Sequence, residues 1–82
     1  MALALGPSPL RAGQSLVIRG AAIGPLARVE LFDAAGRRRA ATIAEASGGR
    51  AIFDGGATGA LSAGLYFIRA GRDAVARLVV VR

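Results

Sequence analysis

Five carboxylates, Glu30, Asp33, Glu45, Asp54 and Asp73, and four serine hydroxyls, Ser8, Ser15, Ser47 and Ser62, are where acid, base or nucleophilic chemistry could start in this chain. Hydrolysis by a carboxylate pair needs two such groups to converge at about 5–10 Å, and nothing in their spacing suggests that two do. The serines have no base to activate them, since the sequence contains neither histidine nor lysine. Cysteine is absent as well, which removes the usual zinc, copper, iron-sulfur and haem ligand sets. Asp54, followed by Gly55 and Gly56, could lend an oxygen to calcium, but that ion takes roughly six to eight. Side-chain-to-backbone bonding in turns is the default role for Asp33, Asp54 and Asp73, each beside a glycine or a turn. No enzyme activity and no cofactor are expected.

All 11 basic residues are arginine, and the net charge is +6. Clustered arginines would point to phosphates or acidic partners. These are spread along the chain, and only Arg37, Arg38 and Arg39 adjoin. In a strand, alternate residues of such a triplet face opposite ways, so it reads as a solvated strand rather than a nucleic-acid site.

The elements that must carry these residues are short. The 82 residues make one domain. No apolar run approaches the roughly 20 residues that span a bilayer, so no membrane insertion is expected. The N-terminal Met1-Ala2-Leu3-Ala4-Leu5-Gly6 lacks the basic segment and apolar length of a signal peptide. Residues 1–6 therefore read as a linker or vector-derived N-terminus and residues 7–82 as the domain, with any export signal upstream.

β-branched and aromatic clusters alternate with glycine-containing turns, which predicts an all-β sandwich. The predicted strands are Ser15 to Arg19, Arg28 to Asp33, Arg38 to Ala44, Arg50 to Asp54, Leu65 to Ala70 and Ala74 to Arg82. Residues Ala40 to Ala46 have a helical turn as their alternative. Asp33-Ala34-Ala35-Gly36 predicts a type I turn with left-handed Gly36, pairing the second and third of these strands through a bulged hairpin. Ala70-Gly71-Arg72-Asp73 predicts a two-residue type II′ turn that pairs the last two strands. That register puts Leu65 and Phe67 on one face with Ala74, Ala76, Leu78 and Val80, and Tyr66 and Ile68 on the other with Val75, Val79 and Val81. Both faces are apolar, so the hairpin is either covered on both sides or open to a partner on one.

Four segments in order resemble a known family. Pro7-Ser8-Pro9 resembles an opening Pro-Asn-Pro, with Ser8 for asparagine. Ala27 to Arg37, containing Phe32-Asp33-Ala34-Ala35-Gly36-Arg37, resembles a strand, aromatic-Asp, two-residue turn and Gly-Arg. Leu61-Ser62-Ala63-Gly64-Leu65-Tyr66 resembles Leu-x-x-Gly-x-Tyr. Ala76-Arg77-Leu78-Val79-Val80-Val81-Arg82 resembles a basic-then-apolar final strand, with Arg77 and Arg82 where lysine is common. Together they resemble the C-terminal sorting domain of bacterial proteins exported by the type IX secretion system, and its relative, the Ig-like domain of flagellar hook-capping proteins. In the latter a Trp-Asp-Gly element precedes the Leu-x-x-Gly-x-Tyr segment, and Phe53-Asp54-Gly55-Gly56 stands in that place.

The resemblance implies an Ig-like antiparallel β-sandwich of about six to seven short strands. It implies a non-catalytic sorting domain of a larger exported protein, joined to an upstream cargo domain and recognised by the secretion machinery and a sortase-type protease. The location implied is secreted or cell surface, via periplasm and outer membrane. Recognition is expected at Arg77, Leu78, Val79, Val80, Val81 and Arg82. Pro7, Pro9, Asp33, Gly36, Arg37, Gly64 and Tyr66 are expected to be structural. An apolar terminal strand at a sheet edge would also be a template for strand addition, including edge-strand self-association, whereas an internal paired strand would not. The alternative function is a structural Ig-like spacer or interaction module of an extracellular or hook-capping-type protein.

Overall fold

The computed structural model describes residues 3–71 and 74–82. Eight strands and one short helix follow in chain order: β1 (Ala4–Gly6), β2 (Leu10–Arg11), β3 (Leu16–Arg19), β4 (Arg28–Asp33), β5 (Arg38–Ile43), β6 (Arg50–Phe53), α1 (Gly55–Gly59), β7 (Gly64–Ala70) and β8 (Ala74–Val81). They form two sheets, β1-β3-β6 and β2-β8-β7-β4-β5. This is an all-β sandwich with the immunoglobulin-like division of strands between sheets. All six strands read from the sequence are present, and Arg38–Ile43 is strand rather than helical turn.

Alternation along each strand builds the core. Leu16, Ile18, Ala51 and Phe53 project from the smaller sheet onto Val29, Leu31, Tyr66, Ile68, Leu78 and Val80 of the larger one, all of them buried. Each such large side chain removed from water contributes about 1.5–3 kcal/mol.

The β4–β5 hairpin forms as its turn residues require. The Gly36 amide donates to the Asp33 carbonyl at 3.0 Å, and the Asp33 amide donates to the Arg37 carbonyl at 2.9 Å. Gly36 has φ +85, the left-handed value that closes a three-residue hairpin. Asp33 Oδ1 accepts from the amides of Ala35 and Arg37, each at 2.9 Å. A register shift follows between Leu31 and Phe32.

Three elements differ from the sequence reading. Ala4–Gly6, assigned to a linker, is β1 and pairs antiparallel with β3, Leu5 facing Ile18. Leu10–Arg11 is β2, parallel to the end of β8. Pro7 and Pro9 lie between them, where the chain passes from one sheet to the other, and the Gly6-Pro7 and Ser8-Pro9 peptides are cis. Strands of two or three residues carry too little alternation to be read from sequence. The third element, α1, contains three glycines in five residues and so lacks helix propensity. Its cap and docking hold it. Asp54 is the N-cap, accepting from the Ala57 amide at 2.8 Å, and the buried Thr58 hydroxyl donates to the Gln14 carbonyl at 2.6 Å.

The register of the final hairpin also differs. Ala70 pairs with Ala74, Ile68 with Ala76, and Tyr66 with Leu78. The predicted turn includes Arg72 and Asp73, which lie outside the described residues, but the pairing around it is one residue longer than a two-residue turn allows. A one-residue slip exchanges the faces of a whole strand. Tyr66 and Ile68 therefore share the core face with Leu78 and Val80, and Leu65 and Phe67 share the opposite face with Val75, Arg77 and Val79.

Candidate recognition face

The corrected register places five of the seven exposed large apolar side chains of the described residues on one surface, the outer face of the five-stranded sheet: Ile43, Leu65, Val75, Val79 and Val81. Directly paired residues point the same way, so the face can be followed row by row. Arg38, Phe32, Phe67 and Arg77 form one row across β5, β4, β7 and β8. Ala41, Glu30, Arg69 and Val75 form the next. Leu65 pairs with Val79, and Val81 with Arg11 of β2. Of the two outcomes left open by sequence, the sheet face is uncovered among the described residues. Val75 is 54% exposed and Val79 46%.

Charge is unevenly spread over the face. Glu30 collects three guanidinium groups: Arg69 at 3.0 Å, Arg38 at 3.3 Å and Arg28 at 3.8 Å. The hydrogen bond from Arg69, with those of its neighbours, holds the Glu30 carboxyl below its ordinary value against the opposing effect of desolvation. Arg69 also lies 5.0 Å above the Phe32 ring. Beside it, Phe32, Phe67, Val75 and the β4–β5 turn line a shallow hollow of about 340 Å³. At the β8 side the ion pairs stop. Among the described residues neither Arg11 nor Arg77 has a carboxylate within 4 Å.

The arginine triplet is dispersed as alternation requires. Arg37 and Arg39 reach Asp33, at 3.2 and 3.9 Å, and Arg38 turns to Glu30. The Asp33 carboxyl is held low first by the Arg37 backbone amide, then by the Ala35 amide and the Arg37 side chain.

β8 distributes the predicted recognition residues by parity. Leu78 and Val80 are core residues, out of reach of any partner of the folded domain. Arg77, Val79 and Val81 face outward. Arg82 donates from its guanidinium to the Leu61 carbonyl at 2.9 Å. β8 is flanked along its length by β7, while β2 pairs only with Val80 and Val81 on its other side.

The structural residues hold the frame of this face. Tyr66, 5% exposed, donates its hydroxyl to the Ser62 carbonyl at 2.8 Å. This bond back to a residue just upstream is the tyrosine corner of immunoglobulin-like sandwiches. Gly64 starts β7 with φ +154, a value L residues rarely adopt. Thr58 was missed by sequence reasoning; its only signal was a hydroxyl three residues after Asp54-Gly55.

No family model matches the chain, and no curated protein matches it significantly. What the face offers chemically is apolar area to desolvate and guanidinium donors for carboxylates or phosphates.

Proposed function

We propose that this domain is a non-catalytic C-terminal sorting domain of a larger exported bacterial protein, read by the type IX secretion machinery. One observation carries the reading. The strand that resembles the family's final strand, β8, anchors the core with Leu78 and Val80 and offers Arg77, Val79 and Val81 to the outside on an uncovered sheet face. Anchor and signal thus alternate along one strand, which suits a module recognised while folded. The other resembling segments support it by their positions: Asp33 to Arg37 closes the β4–β5 hairpin, and Leu61 to Tyr66 forms the tyrosine corner. Processing by a sortase-type protease and delivery of the cargo to the surface or medium belong to the same proposal.

The test fuses all 82 residues to a fluorescent reporter carrying a periplasmic signal peptide, in a bacterium that possesses the type IX system. An unrelated Ig-like sandwich in the same position is the control. Deleting β8 would be uninformative, because it removes Leu78 and Val80 from the core. Surface or medium fluorescence with this domain and not with the control is the expected result. Periplasmic retention of a folded, stable fusion overturns the proposal in favour of a structural Ig-like spacer.

A further inference from the structure

We infer that the outer face of the five-stranded sheet, centred on Leu65, Phe67, Val79 and Val81, is a docking surface for a partner protein whose own surface is apolar at the centre and rimmed with carboxylates. The inference deepens the sorting reading and rests on it for the partner's identity as a component of the export machinery.

Charge selects the occupant. By register the face carries Arg11, Arg28, Arg38, Arg69 and Arg77 against one carboxylate among the described residues, Glu30. Arg28, Arg38 and Arg69 are already turned to Glu30, whereas Arg11 and Arg77, beside the valines of β8, have no carboxylate within 4 Å among the described residues. A carboxylate brought by a partner would meet guanidinium donors in a desolvated surrounding, where bidentate pairs are strongest. Two copies of the domain face to face would oppose like charges instead. Five strands about 4.8 Å apart and β8 at about 3.3 Å per residue bound a face of roughly 500 Å², short of the 800 Å² per side usual for a stable complex and therefore suited to a transient encounter rather than to a permanent dimer. A lipid surface fits less well than an acidic protein. Membrane-surface elements separate apolar from charged residues, while here Arg77 stands between Val75 and Val79 on the same face of β8.

Three variants of the full 82-residue domain test this, each first checked for cooperative unfolding. Val79→Lys and Arg77→Glu lie on the face; Ile52→Lys lies on the outer face of the smaller sheet. In the reporter fusion, both face variants reduce surface fluorescence by about tenfold or more, the loss of one interface anchor, and Ile52→Lys leaves it unchanged. Export of both face variants at the unsubstituted level overturns the inference and leaves the sorting reading standing. Retention of the unsubstituted fusion overturns the sorting reading instead, and the face is then decided by anilinonaphthalene sulfonate, a dye both apolar and anionic. Dye fluorescence on the native domain that is lost in both face variants supports the docking surface; no binding to the native domain overturns it. Binding of the domain to phosphatidylglycerol vesicles, or dimerisation in sedimentation, abolished in either case by Val79→Lys, overturns the acidic protein partner in favour of a lipid surface or a second copy.

Discussion

At the scale of single residues, Tyr66 and Asp33 have roles that local chemistry explains and that removal of one polar group can test. The Tyr66 ring lies in the core and its hydroxyl serves the Ser62 carbonyl. Tyr66→Phe keeps the ring and removes the hydrogen bond to that carbonyl, and is expected to lower stability by about 1–1.5 kcal/mol. Thermal unfolding should shift down by roughly 5–10 °C for a domain of this size. An unchanged midpoint would mean the corner is held by packing alone. Asp33 was legible from sequence as a turn former, since an aspartate three residues before glycine meets the requirements of a bulged hairpin without help from the rest of the chain. Tyr66 was legible as buried but not as bonded to Ser62, because that bond needs the corner between α1 and β7.

At the scale of elements, α1 and β8 behave oppositely. Seven of the eight residues of β8 are apolar, four of them valine, and this run suits a strand. α1 has almost no intrinsic reason to be helical and is held at its two polar contacts, the Asp54 cap and the Thr58 hydroxyl. Thr58→Val preserves shape and removes the donor to the Gln14 carbonyl. It should cost about 0.5–1.5 kcal/mol, the net worth of one hydrogen bond whose acceptor, on the exposed Gln14, can turn to water. Native-state hydrogen exchange should show the loss first at the amides of α1, with β7 and β8 still protected; uniform acceleration across the domain would contradict the local role. This helix escaped the sequence reading because propensity is a weak guide where tertiary contacts hold a short element.

At the scale of the whole molecule, a chain of net charge +6 holds two of its acids in arginine networks at the hairpin end of the larger sheet. Both Glu30 and Asp33 are held below their ordinary values of 4.5 and 3.8. A carboxyl lowered on folding contributes stability above its unfolded value and loses that contribution as pH falls through the folded one. Stability is therefore expected to be level from neutrality down to about pH 5, and to fall as the medium is acidified below the ordinary carboxylate range. Denaturant unfolding followed against pH would show it. Glu30→Gln combined with Asp33→Asn should flatten that acid limb, and an equally steep limb in the double variant would place its origin in other groups.

The sequence by itself determined that this is a small all-β domain, which six segments are its long strands, and how β4 turns into β5, because strand alternation and turn chemistry act over a few residues. Only the tertiary structure decided which face of β7 and β8 is inside. Both faces of that hairpin are apolar, so the period-2 pattern satisfies either register, and one residue of slip exchanges them. The choice was made by the opposing sheet. Leu16, Ile18 and Phe53 pack against a surface that Tyr66, Ile68, Leu78 and Val80 can fill, leaving Leu65, Phe67 and Val79 outside beside Arg77. β1, β2 and α1 were decided the same way, as segments too short to carry their own pattern and formed by the neighbours they close against.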